Sequence, residues 1–412
     1  CRAWDYFAIC GGEVMASPKL RFKEFDGDWK QQNLGDCFSL ISGYAFPSTS
    51  SVDSGAKWLK IADVGIQEMT PNNPSYLPLD YLDKYSQFIV KKNDYVIALT
   101  RPILSKKLKI AQVGNLYDGA LLNQRVAKIH SKNNNLDFIY SLLQKSKTVE
   151  ELENSIAGTD PPNLSLNDIK EIKLAFPSKE EQTKIASFLS AVDEKIAQLT
   201  QKHELLSQYK QGMMQKLFSQ QIRFKADDGS EFGEWEEKKL GEICQFINGR
   251  AYKQTEWEKE GIPVIRLQNL TGSGKEYYYS NLNLPAHQYC YNNDLLYMWS
   301  ATFGPVFWQG EKAIFHYHIW KIEVNPQLLD KKYMYFLLDE MTEKMKRSLN
   351  GSTMLHVTKQ GMENTQKIVP SLPEQTKIAN FLSAIDQKIN VVSEQLEQAR
   401  LWKKGLLQQM FV

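Results

Sequence analysis

The chain has 412 residues, enough for two or more domains with ordinary cores, and its 42% apolar and 24% charged residues are those of a soluble globular protein. A formal net charge of +2 excludes a strongly basic tail but leaves room for a locally basic groove, and no apolar run reaches the length of a membrane span. The five cysteines (Cys1, Cys10, Cys37, Cys244, Cys290) are odd in number and show no CxxC pair or Cys/His ligand spacing, which fits free thiols in a reducing, cytoplasmic setting.

In chain order, residues 1–14 precede a more natural beginning, "MASPKLRF" from Met15, and are set aside as an upstream extension or an artefact of cloning. They lack the basic head and apolar stretch of a signal peptide. A first variable domain is expected over 15–176. It opens with "FDGDWKQQNLGDCFSLISGYAF" from Phe25. Strands are predicted at Ala56–Ile61, Tyr95–Leu99, Ile110–Val113 and Arg125–Ile129, and an amphipathic helix near Leu136–Asn154.

Residues 177–219 follow as a helical block. "PSKEEQTKIASFLSAVDEKI" begins at Pro177, and "PSLPEQTKIANFLSAIDQKI" begins at Pro370, with fifteen of twenty positions identical. Between the two copies lies a second variable domain, 220–369. Its opening, "FGEWEEKKLGEICQFINGRAY" from Phe232, matches the first through Trp29/Trp235, Leu34-Gly35/Leu240-Gly241, Gly43/Gly249 and Phe46/Tyr252. Strands are predicted at Pro263–Leu267, Leu295–Trp299, Lys312–Phe315 and Ile319–Val324, and a helix near Leu328–Leu349. The second helical block, 370–412, ends the chain. One long unit is thus used twice, unlike the short units of a solenoid.

Each block opens with a Ser-x-x-Glu pair, Ser178/Glu181 and Ser371/Glu374, the pattern of a capping box. Apolar positions then alternate by four and three: Ile185, Leu189, Val192, Ile196, Leu199 and Leu206 in the first block; Ile378, Leu382, Ile385, Ile389, Val392 and Leu396 in the second. That spacing is a coiled-coil seam, interrupted by His203 and by Lys210/Lys403, polar groups of the kind that set register. A helix of about 40 residues is roughly 60 Å long and cannot bury its seam alone. The simplest arrangement pairs the two copies within one chain, antiparallel about a pseudo-two-fold axis, as a symmetric spacer between unlike domains. Dimerisation of two chains as a scaffold is the alternative from periodicity alone.

Basic and stacking-capable residues gather between the predicted strands. The candidates for phosphate or base contact are Arg101, Lys106, Lys107, Lys109 and Arg125 in the first domain, and Arg250, Lys253, Arg266, Lys275 and Tyr277 in the second. Any one of them could equally sit on a solvated loop. Motifs suggestive of chemistry are incomplete. "TDPPN" at Thr159–Asn163 lacks the aromatic of an amino-methyltransferase element; "GSGK" at Gly272–Lys275 has Glu276 where a phosphate loop has Ser or Thr; His316 and His318 have no third ligand nearby in sequence. No catalytic set, cofactor site or metal site emerges, which points to a binding subunit.

Two unlike domains, each followed by "P-S-x-x-E-Q-x-K-I-A-x-F-L" and a long heptad helix, resemble the specificity subunit of type I restriction–modification systems. The "F-x-G-x-W-x-x-x-x-L-G-[DE]" opening at Phe25–Asp36 is typical of the same family, and Glu242 keeps the acidic position in the second copy. The resemblance runs from about Leu20 to Val412. It implies mixed α/β target recognition domains, each reading half of a bipartite double-stranded DNA site, and a chain that catalyses nothing itself. It further implies two methyltransferase subunits docked on the helices, restriction subunits added to that core, and S-adenosylmethionine, ATP and Mg on those partners. A stand-alone DNA-binding regulator and a coiled-coil scaffold are the competing readings.

Overall fold

The computed structural model describes residues 17–71, 74–156, 161–300, 302–348 and 357–412. The expectation for residues 1–14 therefore lies outside the described residues, as do Cys1, Cys10, Thr159 and Asp160. The chain divides into two compact units: residues 1–199 with 395–412, and residues 200–394. Both boundaries fall inside long helices, Lys179–Phe218 and Leu372–Gln409. Each unit is mixed α/β.

The first unit is built on an antiparallel sheet in the order Ser39–Ser42, Val126–His130, Tyr95–Ala98, Ile110–Gln112. Tyr95–Ala98 is apolar at every position because both of its faces are covered. Tyr95 and Ile97 enter one core with Trp29, Phe138 and Phe176; Val96 and Ala98 enter another with Leu59, Val113 and Leu122. A smaller sheet orders Tyr76–Leu77, Ala56–Leu59 and Leu121–Leu122. An antiparallel ribbon of Lys30–Asn33 with Lys173–Phe176 leads into the first long helix.

The second unit repeats this plan. Its antiparallel sheet runs Cys244–Asn248, Ile319–Val324, Leu295–Ser300, Thr302–Phe307, with Leu295 and Tyr297 in one core and Leu296 and Met298 in another. The second sheet orders Tyr278–Ser280, Ile262–Ile265, Ala313–Phe315 and Tyr289–Cys290. Its ribbon pairs Glu236–Lys239 with Gln366–Val369.

The sequence expectations differ from these elements in several places; the strand expected over Ala56–Ile61, for one, ends at Leu59. The helix expected over Leu136–Asn154 is two helices, Leu136–Leu142 and Ser146–Ser155. Lys145 between them is extended, and its ammonium donates to the carbonyl oxygens of Phe411 and Val412. The strand expected over Pro263–Leu267 stops at Ile265, because Asn269 Oδ1 accepts the Arg266 N–H and starts the helix Leu267–Thr271. The first capping box is only half formed, and in both blocks the glutamate is turned away from the cap. Ser178 Oγ accepts the Glu181 N–H at 3.3 Å, but the Glu181 carboxylate turns to Arg21, accepting from Nε at 2.8 Å and from Nη2 at 2.7 Å. Glu374, fully buried, likewise accepts from Arg223 Nε and Nη2 at 3.1 and 2.8 Å, and from Trp235 Nε1 at 3.1 Å.

Both long helices contribute to both units. In the first unit, Ile185, Leu189 and Val192 share a core with Leu406, Met410 and Phe411, and Lys403 Nζ lies 2.6 Å from Asp193. In the second, Met214 and Leu217 share a core with Ile378, Leu382 and Ile385, and Lys210 Nζ lies 2.7 Å from Asp386. Of the remaining seam positions, Leu199 and Val392 are buried, and Ile196, Leu206, Ile389 and Leu396 are half-buried. Among the described residues no helix is long and apolar enough to cross a membrane.

Candidate nucleic-acid interface

Gly43 and Gly249 set the frame of each unit. A Cβ on Gly43 would stand 2.1 Å from the Leu122 carbonyl oxygen, and one on Gly249 2.2 Å from that of His316. Only glycine lets the chain cross so close to another backbone. Immediately after, Tyr44 bridges Asn123 and Arg250 bridges His316, both in parallel sense. The candidate cations lie around these crossings and around the turns that connect the sheets.

In the first unit, residues 99–109 join the strands Tyr95–Ala98 and Ile110–Gln112 and form a small hairpin. Ile103 pairs with Leu108 and Leu104 with Lys107. The turn residues Ser105 and Lys106 both have positive φ, at 50° and 59°, as a tight I′ turn requires. Neither is glycine or asparagine, so each left-handed residue costs about 1 kcal/mol or more. Arg101, Lys106, Lys107 and Arg125 are exposed. Among the described residues none of these four is held in an ion pair. Leu99 N–H donates to the Arg125 carbonyl at 2.9 Å, which puts Arg125 beside the root of the hairpin. Lys109 differs: its Nζ donates to the Ile61 carbonyl at 3.2 Å, and burial lowers its pKa. It braces the root.

In the second unit the corresponding strands, Leu295–Ser300 and Thr302–Phe307, are one residue apart in sequence and pair directly, down to Ser300 with Thr302, as a shorter hairpin with no cation in residues 299–303. That unit's candidates gather on an aromatic stack instead. Tyr252 lies on Trp257 at 4.9 Å between ring centroids, and Trp257 on Tyr278 at 4.6 Å. The Arg250 guanidinium covers Tyr252 at 4.7 Å and that of Arg266 covers Tyr278 at 4.8 Å. Arg250 is also paired with Glu256, which raises its pKa, so it fastens the stack. Lys253 and Lys275 are exposed and Tyr277 is half-buried. Tyr278, 41% exposed, ends the stack beneath the Arg266 guanidinium; in the sequence it stood out only as part of a tyrosine run, and Trp257 and Leu104 did not stand out. The run Tyr277-Tyr278-Tyr279 gave a signal for Tyr278, but nothing local says which of the three faces outward.

"GSGK" follows the helix Leu267–Thr271, and Gly272 caps that helix with φ 73°, whereas a phosphate loop precedes its helix. The His316 and His318 rings are 5.4 Å apart. Burial, His318 and Arg266 push His316 down to about 4. Among the described residues no three His, Cys, Asp or Glu side chains gather as a metal site. The thiols of Cys37, Cys244 and Cys290 are buried and free, and burial pushes each up to about 12, so none is a thiolate near neutral pH. The arrangement offers donors and stacking rings at the surface.

The family model described as type I restriction modification DNA specificity domain matches residues 26–208 and 233–400. The chain is 32% identical over 209 residues to the type I restriction enzyme MjaVIII specificity subunit of Methanocaldococcus jannaschii, a match covering 50% of this chain and 49% of that protein. It thus spans about half the length of that relative. It is 23% identical to the MjaIX specificity subunit of the same organism, over 90% of this chain and 91% of that one. Its fold is similar to the crystal structure of a type I restriction–modification system S subunit from M. genitalium, at a TM-score of 0.62 and 18% identity, over 96% of this chain and 99% of that chain.

Proposed function

The chain belongs to the type I restriction modification DNA specificity domain family, and on that premise we propose that it is the DNA sequence-specificity subunit of a type I restriction–modification complex. One observation carries the reading: a single scaffold is used twice, with its internal fastenings kept and its exposed turns changed. Arg21–Glu181 and Arg223–Glu374 are the same ion pair at 2.7 and 2.8 Å, whereas the first unit exposes a basic hairpin and the second an aromatic stack. A protein that reads two different half-sites needs that combination.

In this reading each unit contacts one half of a bipartite site on double-stranded DNA. Arg101, Lys106, Lys107 and Arg125 serve one half, and Lys253, Arg266, Lys275 and Tyr277 the other. Lys109 and Arg250 position their neighbours. The two long helices pair antiparallel as an intramolecular coiled coil, in a pseudo-two-fold arrangement, and set the gap between half-sites. The order of partners supports this pairing: Asp193 meets Lys403 in one unit and Lys210 meets Asp386 in the other. The helices dock two methyltransferase subunits, which carry S-adenosylmethionine; restriction subunits with ATP and Mg complete the assembly. This chain binds and orients, and its partners do the chemistry.

The test is to measure binding of the chain to split-site DNA alone and together with its methyltransferase subunits. The reading expects tight, sequence-selective binding only in the complex. A stand-alone regulator would bind its site unaided. A scaffold would dimerise with concentration and show no affinity for DNA.

A further inference from the structure

We propose that the two units read their half-sites by different means, and that the first does so by inserting the Ile103–Leu108 hairpin into the major groove as a two-stranded arm. This rests on the DNA-specificity reading and goes beyond it by naming the probe, the groove and the residues.

The hairpin is built as an arm with a fixed root and a free tip. Leu108 is 3% exposed and lies in the main core of the first unit, with Ile103 packed against the same core. Lys109 N–H donates to the Pro102 carbonyl at 2.7 Å, and Arg101 N–H to the Pro162 carbonyl at 2.7 Å. The root is thereby held without help from a ligand. Strand alternation then decides what faces out. Ile103 and Leu108 turn inward as a pair; Leu104 and Lys107 turn outward as the next pair, with Lys106 at the tip. Residues 99–109 hold four cations and no carboxylate, a charge pattern suited to a polyanion.

The groove follows from size and chemistry. A two-stranded ribbon fits the major groove, about 12 Å wide, and not the minor groove, about 6 Å wide. Leu104 is 58% exposed at the end of this basic arm, where an apolar side chain gains nothing from phosphate. The apolar feature of a base edge is the thymine methyl, which only the major groove displays. We therefore assign Leu104 to a thymine methyl, Lys107 to an adjoining base edge, and Arg101 and Arg125 to phosphates beside the root. The corresponding hairpin of the second unit is shorter, pairing down to Ser300 with Thr302, and its residues 299–303 hold no cation, so that unit reads without a basic arm.

The test uses the chain assembled with its methyltransferase subunits, and methylation of duplex libraries in which each half-site is randomised in turn. Leu104→Ala and Lys107→Ala are expected to lower discrimination at one or two neighbouring positions of one half-site by roughly tenfold or more, and to leave the other half-site intact. Ser105→Asn/Lys106→Gly gives the turn its preferred residues while removing the tip cation. It is expected to fold at least as well as the parent and to weaken methylation without shifting the positions read. The proposal is overturned if Leu104→Ala leaves every position unchanged, or if Leu104→Ala and Lys107→Ala weaken all sequences and both half-sites alike, as loss of phosphate contacts would. A parent complex with no split-site preference would instead sink the underlying reading, and this proposal with it.

Discussion

The two units share what holds them together and differ in what they expose. In both, an arginine from the segment before the ribbon reaches a buried glutamate in the first turns of a long helix. In both, a glycine lets one backbone pass within contact of another. Yet where the last two strands of the main sheet join, one unit carries a basic hairpin and the other a shorter one without cations, and where one stacks tyrosine and tryptophan under arginine, the other packs Phe46 edge to face against Trp58 and Tyr85. Constraint follows burial. A buried carboxylate or a crossing backbone admits one solution, while an exposed turn admits many, which is what a pair of unlike readers on one scaffold requires.

The comparison can be broken first at the buried ion pairs. Removing one partner strands a carboxylate at a cost of about 3–5 kcal/mol. The two sites are not equal, however. Glu374 keeps the Trp235 Nε1 donor, whereas Trp29 Nε1 has no hydrogen-bond partner. Arg21→Ala should therefore destabilise the first unit more than Arg223→Ala destabilises the second, by about 1 kcal/mol. Hydrogen exchange resolved by unit reads both values, and equal losses would show that the tryptophan bond is worth nothing.

Gly43→Ala and Gly249→Ala come next. A Cβ within 2.2 Å of a carbonyl oxygen forces backbone apart at both crossings, and a loss of about 3 kcal/mol is expected in each unit, again by hydrogen exchange. If one unit tolerated the change, the equivalence of the crossings would fail.

Acid should then separate the units. His316 has a folded-state pKa of about 4, below its unfolded value of about 6.5, so its contribution is complete above pH 6.5. As pH falls from 6.5 toward 4 the unfolded chain takes up the proton and the folded second unit does not. Stability drops over that window by on the order of 2 kcal/mol, allowing for the ring's partial exposure. Hydrogen exchange of the second unit at pH 7 and pH 5 should show the drop, and His316→Gln should flatten it. The smallest effect is at the helix pairing, where exchanging Lys403 and Asp193 for each other should cost about 1 kcal/mol, measured by exchange of the first unit, and less than either single change.

Much of this architecture was legible in the sequence, for physical reasons. The seam from Ile185 to Leu199 shows because helical burial imposes its period on the residues. Gly43 and Gly249 show because one backbone crossing occurs twice in one chain. The strand Leu295–Ser300 shows because the continuous apolar run Leu295–Trp299 marks a strand covered on both faces. What stayed hidden depends on distant partners. Lys145 breaks a helix to reach carbonyls at the far end of the chain. Glu181 abandons its cap for Arg21. Of the interface, the cations were visible as residue types, but their roles were not. Lys109 and Arg250 look like Lys107 and Arg266 in sequence, and only the structure shows that the first two are held, by the Ile61 carbonyl and by Glu256.

The most direct test of the central claim is the genome-wide adenine methylation of the cell this chain comes from, with and without its gene. The account expects one split motif, two short blocks with a fixed gap, to vanish when the gene is removed and to return when it is restored. An unchanged pattern in a cell whose methyltransferase is active would contradict it.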